Sequence, residues 1–211
     1  MAKTKGTIGI LTGGGDVPGL NPAIRALTVR ALREGYRVLG IRRGWAGLVD
    51  LVPDPHADNS DCVQELTREI VNRAGRTGGT FLHTSRTRPS HLPITNVPPH
   101  LQDRYTQQIN DVTAEVLKNI DFLGLDFLIP IGGDDTLKTA NKFQRFQDQL
   151  PEGSPRIPVV HLPKTIDNDL LGTDLTFGFD TAISIATDAL DRLRTTAKSH
   201  GRIMVLELMG R

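Results

Sequence analysis

The amino-acid sequence predicts an α/β protein, a Rossmann-like three-layer sandwich with a mostly parallel sheet. Three observations carry this. Short β-branched apolar runs recur along the chain, each ends in glycine or other turn residues, and stretches with helical spacing of apolar residues lie between them. Near-continuous apolar strands need cover on both faces, which right-handed β-α-β crossovers supply.

The first strand is expected over 7–12, with a glycine turn after it and a helix over 23–32. A second strand is expected over 37–42. The segment 53–99 is rich in proline, histidine and arginine and less regular; it is read as a helix near 63–72 and a strand near Thr80. Further helices are expected over 109–123, 137–146 and 183–193, and strands over 127–131, 157–162 and 203–208. No internal repeat is found.

Composition narrows the function classes. The 211 residues, 38% hydrophobic and 23% charged, suffice for a real core. With 25 basic and 24 acidic residues the formal net charge is +1, too small to recruit nucleic acid or an anionic membrane, so any anion site must be local. Cys62 is the single cysteine, which excludes an intramolecular disulfide, and the histidines lack metal-ligand spacing. No apolar run is long enough to cross a bilayer, and the basic start passes directly into the first strand, so the cytoplasm is the expected compartment.

In open α/β sheets ligands bind beyond the carboxyl ends of the strands, where loops and helix N-termini converge. Polar clusters stand at four such ends, at 13–16, 132–136, 164–169 and 209–211. Gly13-Gly14-Gly15-Asp16 lets backbone amides approach a phosphate, although a plain strand-to-helix turn uses the same residues. Pro18 stands where a dinucleotide fingerprint wants glycine, yet Arg42 and Arg43 could hold a 2′-phosphate, so an NADP- or phosphate-binding module stays open. Gly132-Gly133-Asp134-Asp135-Thr136 repeats the device with carboxylates suited to magnesium, and Asp135 or Thr136 could instead cap the helix. Lys164-Thr165-Ile166-Asp167-Asn168-Asp169 sets two carboxylates around an asparagine beside a cation; Asp167 is the candidate general base, against a plain hydrogen-bonded turn. Arg76, Arg86 and Arg88 flank 80–85 and suit a transferring phosphoryl group, or are solvated surface charges.

These motifs, taken in order with Pro18-Gly19-Leu20-Asn21 and Met209-Gly210-Arg211, resemble the 6-phosphofructokinase family from about Ile8 to the last residue. The resemblance implies phosphoryl transfer to the 1-hydroxyl of fructose 6-phosphate, with Mg²⁺, in a homo-oligomer. It makes Gly14, Gly15, Gly133, Asp135, Thr136 and Lys164 donor contacts, Asp134 the metal-side carboxylate and Asp167 the base, assisted by Arg86 and Lys164. It assigns the sugar side to Thr165, Asp167, Asp169, Met209, Gly210 and Arg211, and to Arg202 reaching a neighbouring subunit's substrate. ATP-using members usually have glycine where this chain has Asp135 and Lys164, so pyrophosphate is the expected donor, with ATP as the alternative. His83 and Thr84 depart from the Gly-Ser that many members carry before the arginine. Family members continue well beyond Met-Gly-Arg. The chain is therefore expected to be an incomplete phosphofructokinase fold: residues 1–200 form the donor-binding and catalytic domain, and 201–211 the first strand of a sugar-phosphate domain.

Overall fold

The computed structural model describes residues 4–210. Strand β1 (Thr7–Gly13) leads into helix α1 (Leu20–Glu34), followed by β2 (Arg37–Ile41) and α2 (Trp45–Asp50). An edge strand β3 (Val63–Glu65) and helix α3 (Arg68–Ala74) come next, then short strands β4 (Leu92–Pro93) and β5 (Ile109–Asn110) that pair with each other. The second half contributes α4 (Thr113–Phe122), β6 (Phe127–Gly132), α5 (Asp134–Asp148), β7 (Leu162–Thr165), β8 (Phe177–Gly178) and α6 (Phe179–His200).

The main sheet runs β3-β2-β1-β6-β7-β8, parallel except where β3 pairs antiparallel with β2. Successive side chains on a strand point to opposite faces, and the core divides accordingly. Ile10, Val38 and Ile131 pack under α1 and α3 with Leu20, Ile24 and Val71. Leu11, Leu39 and Leu128 pack on the other face under α2, α4 and α5, where Trp45, Val116, Ile120 and Phe143 close the layer. This is the three-layer arrangement that the apolar strands require.

Several boundaries differ from the sequence reading. The segment 63–72 begins as a strand because Val63, Gln64 and Glu65 pair with β2; its helix starts only after Thr67, whose Oγ1 accepts the Ile70 N–H at 3.3 Å. Thr80 is in no strand; its carbonyl accepts the His83 N–H at 3.1 Å across a turn, and only Ser85 bridges the sheet, against Gly13. The helix expected from 109 starts at Thr113, because Ile109 and Asn110 pair with β4. The strand expected over 157–162 is displaced to Leu162–Thr165: Pro158 has no N–H for the ladder, and Val159 makes only an isolated bridge to Leu128. Residues 203–208 form no strand. No neighbouring strand pairs with them, and Ile203 and Val205 are exposed.

Candidate active site

Register builds the site. Gly13 of β1 pairs with Gly132 of β6, and Gly132 pairs with Pro163 of β7, so three central strands end level. Their next residues, Gly14, Gly133 and Lys164, therefore emerge side by side where β1 separates the two halves of the strand order. Gly13 and Gly132 serve packing rather than ligand approach. A Cβ on either would overlap Thr136, which is buried between the two turns in the first turn of α5. Gly14 has φ +81°, a conformation that L side chains rarely adopt. A Cβ on Gly15 would meet nothing within 4 Å, so the ligand-accessible backbone is at Gly15.

One cleft of about 380 Å³ collects most of the predicted residues. Gly14, Gly15 and Asp16 line it from the first turn, Gly133, Asp134, Asp135 and Thr136 from the second, and Lys164, Thr165, Ile166, Asp167 and Asp169 from the third. Arg86, Met209 and Gly210 complete the lining; a Cβ on Gly210 would lie 3.1 Å from Asp167 Oδ1. Arg211 lies outside the described residues. Arg202 is exposed beyond the end of α6 and lines no part of this cleft, as is also true of the exposed Arg76. Arg43 pairs with Asp50 at 2.8 Å and lines no part of this cleft.

Lys164 is 3% exposed and donates to the Gly15 carbonyl oxygen. Burial pushes its ammonium below the ordinary lysine value; Asp16 opposes the shift and Arg86 adds to it. Within the Asp167-Asn168-Asp169 loop the work is divided. Asn168 sits at φ +51° and its Oδ1 accepts the Thr176 N–H at 2.9 Å, while Thr165 Oγ1 accepts the Asp167 N–H at 3.1 Å. The asparagine thus fixes the turn, and both flanking carboxylates line the cleft.

The loop bearing Arg86 is tied to the first glycine turn. Thr84 Oγ1 donates to Gly14 O at 2.8 Å, Gly14 N–H donates to Ser85 O at 3.1 Å, and Thr12 Oγ1 donates to His83 O at 2.7 Å. His83 holds φ +58°, a glycine-like conformation at a position where the resemblance implies glycine.

At the start of α5 the N-cap is Gly133, and neither Asp135 nor Thr136 caps the helix. Asp134 pairs with Lys138 at 2.5 Å and Asp135 with Arg88 at 2.6 Å. Sequence reasoning named Arg88 only as one of three flanking arginines; its pairing depends on tertiary approach across 47 residues. Among the described residues no group of three or more acidic, histidine or cysteine side chains forms a closed metal cage. Magnesium on diphosphate needs only one or two carboxylates beside phosphate oxygens and water. The half-exposed Asp134 on the cleft wall fits that donor set.

The family profile named Phosphofructokinase matches residues 7–211. The chain belongs to the phosphofructokinase family. It is 42% identical to a pyrophosphate--fructose 6-phosphate 1-phosphotransferase of Dictyoglomus thermophilum over 99% of this chain and 50% of that protein. It is 46% identical to an ATP-dependent 6-phosphofructokinase 2 of Clostridium perfringens over 97% of this chain and 50% of that protein. The crystal structure of Pichia pastoris phosphofructokinase in the T-state superposes with a TM-score of 0.71 at 28% identity, covering 92% of this chain and 18% of that one. The chain thus spans about half the length of the curated relatives it matches. No helix among the described residues is long and apolar enough to cross a membrane.

Proposed function

We propose that the protein supplies the donor-binding and catalytic part of a homo-oligomeric enzyme that transfers a phosphoryl group from pyrophosphate to the 1-hydroxyl of fructose 6-phosphate. The observation that carries this reading is the seating of the Lys164 ammonium beneath the Gly14-Gly15 turn, in a cleft that also holds Asp167. Residues 1–200 are read as the catalytic unit, and 201–211 as the start of the sugar-phosphate part.

The chemistry is positioning and electrostatics. The sugar hydroxyl oxygen attacks the terminal phosphorus in line, Asp167 takes its proton, the bridging P–O bond breaks and orthophosphate leaves. Backbone at Gly14, Gly15 and Gly133, together with Thr136, faces the diphosphate. Lys164 and Arg86 offset the charge on the moving group. Thr165, Asp169, Met209 and Gly210 face the sugar. Bound magnesium, carried by Asp134, would neutralise phosphate oxygens. Pyrophosphate and the bisphosphate product are comparable donors, so the reaction runs in both directions. Arg202, exposed and not part of this cleft's lining, is assigned to the substrate of a neighbouring subunit in the cytoplasmic oligomer.

Asp135 and Lys164 support pyrophosphate, the first by crowding the path of a nucleotide α-phosphate and the second by binding terminal phosphates. ATP is the second reading. It is favoured by a basic cleft of about 300 Å³ on α5 next to the first one, and by relatives named ATP-dependent at comparable identity. A donor comparison separates the two: calorimetric titration of the chain, and steady-state assay of the full-length protein with fructose 6-phosphate. Pyrophosphate should win in both, and Asp135→Gly with Lys164→Gly should raise ATP use. ATP equal to or better than pyrophosphate in the unmutated protein would refute the donor assignment.

A further inference from the structure

The Arg88–Asp135 pair stands on a boundary. Nη2 of Arg88 lies 2.6 Å from Oδ1 of Asp135, and each side chain is 51% exposed. Asp135 lines the first cleft; it also lines the second, on whose wall Arg88 stands with Ser90, Lys138, Lys142 and Arg145. The pair stands between the cleft that holds Gly15, Lys164 and Asp167 and a cationic one.

A carboxylate joined to a guanidinium at this distance acts on a third charge mostly as a dipole, so bare repulsion by Asp135 is blunted. The larger consequence falls on Arg88. A guanidinium fork is the side chain best suited to bind phosphate, and here a carboxylate oxygen holds it.

We infer that Asp135 selects the donor by occupying Arg88. While paired, Arg88 is withheld from phosphate. A donor that ends within the first cleft does not need it, whereas a nucleoside triphosphate, which extends past the pair toward the second cleft, goes without that cation. Removing the carboxylate releases a phosphate-binding cation. The inference rests on the pyrophosphate reading, but the coupling between positions 88 and 135 is measured separately from it.

The test is a double-mutant cycle on the chain: unmutated protein, Asp135→Gly, Arg88→Met and both together, each titrated calorimetrically with MgATP and with magnesium pyrophosphate. Asp135→Gly should tighten MgATP binding about tenfold, the worth of one additional charge-assisted hydrogen bond to phosphate. Arg88→Met alone should leave MgATP affinity within about twofold, as for an exposed group already paired. In the Asp135→Gly background Arg88→Met should erase most of the improvement, and Arg88→Met by itself should leave pyrophosphate affinity unchanged, since Arg88 lines no part of the first cleft. If the double variant keeps the tighter binding, Asp135 acts by its own bulk or charge and the inference is overturned. Unmutated protein that binds MgATP more tightly than pyrophosphate overturns the donor reading, while an improvement that still needs Arg88 leaves the coupling standing. Should Arg88→Met fail to fold, Arg88→Gln performs the same cycle with a polar side chain at a half-exposed position.

Discussion

The Lys164 ammonium donates to the carbonyl of Gly15, joining the ends of β7 and β1 across 149 residues of sequence. A buried ammonium needs oxygen partners, and one is supplied here by the backbone of the turn whose other face is open to the cleft. The lysine therefore braces the turn and holds a charge poised below it. Both roles predict measurable coupling to an anion.

Binding of pyrophosphate should take up a proton at alkaline pH. Burial holds the Lys164 ammonium below the ordinary lysine value in the free protein, and a bound anion raises it again, so the complex carries more protons. Affinity is then fully present below the lowered value and declines as pH rises through it. Calorimetry at about pH 9 in buffers of different ionisation enthalpy should show the uptake, with Lys164→Met removing the lysine's share. Equal uptake in the variant would assign the proton to the ligand instead.

Glycines of the two turns should separate by function. Gly132→Ala forces a methyl into Thr136 and should cost about 2–3 kcal/mol, read from the urea midpoint. Gly15→Ala meets open space, so stability should stay within about 0.5 kcal/mol while pyrophosphate affinity falls about tenfold, because the methyl stands where backbone meets ligand. Parallel losses of stability in both variants would contradict this division.

Much of the site was legible because strand ends in a parallel sheet gather at one edge, so ordered motifs at 13–16, 132–136 and 164–169 had to be neighbours. What periodicity could not supply was register. The level ends at Gly13, Gly132 and Pro163 come from long-range pairing, as does the assignment of Gly13 and Gly132 to packing around Thr136. Strand signals misled where pairing decides: Pro158 interrupts a β-rich run, and residues 203–208 have strand composition without a partner. The Arg88–Asp135 pair carries no local signature, because charged residues flank most loops and contact is set by how the loops fold back.

Asn21 should be a positioning residue for the Arg86 loop. It is 1% exposed; its amide donates to Thr77 Oγ1 at 3.0 Å and to Gly78 O at 3.2 Å, and its Oδ1 accepts the Phe81 N–H at 3.0 Å. Asn21→Ala leaves these partners unsatisfied and should cost about 1–3 kcal/mol. Amide exchange should accelerate over 77–86 more than over β1, since only the loop loses its anchor. Uniform acceleration would mean that Asn21 supports the core at large.

His161 should make stability fall on acidification. Its Nε2 lies 2.9 Å from Gly132 O, its Nδ1 is buried without a hydrogen-bond partner, and burial, aided by Lys164, lowers its pKa from 6.5. The folded protein therefore favours neutral imidazole, with Nε2–H donating to Gly132, while the unfolded chain protonates at the ordinary value. Stability is then fully present above about pH 6.5 and is lost as pH drops from there toward the lowered value. His100 is shifted in the same direction by burial, so the total pH dependence belongs to both histidines. Urea midpoints at about pH 7.5 and about pH 5.5 should differ less in His161→Gln than in the unmutated protein, because an amide can keep the bond to Gly132 without taking up a proton. An unchanged difference would place the acid sensitivity elsewhere and leave the Gly132-Gly133-Asp134 turn without this titrating support.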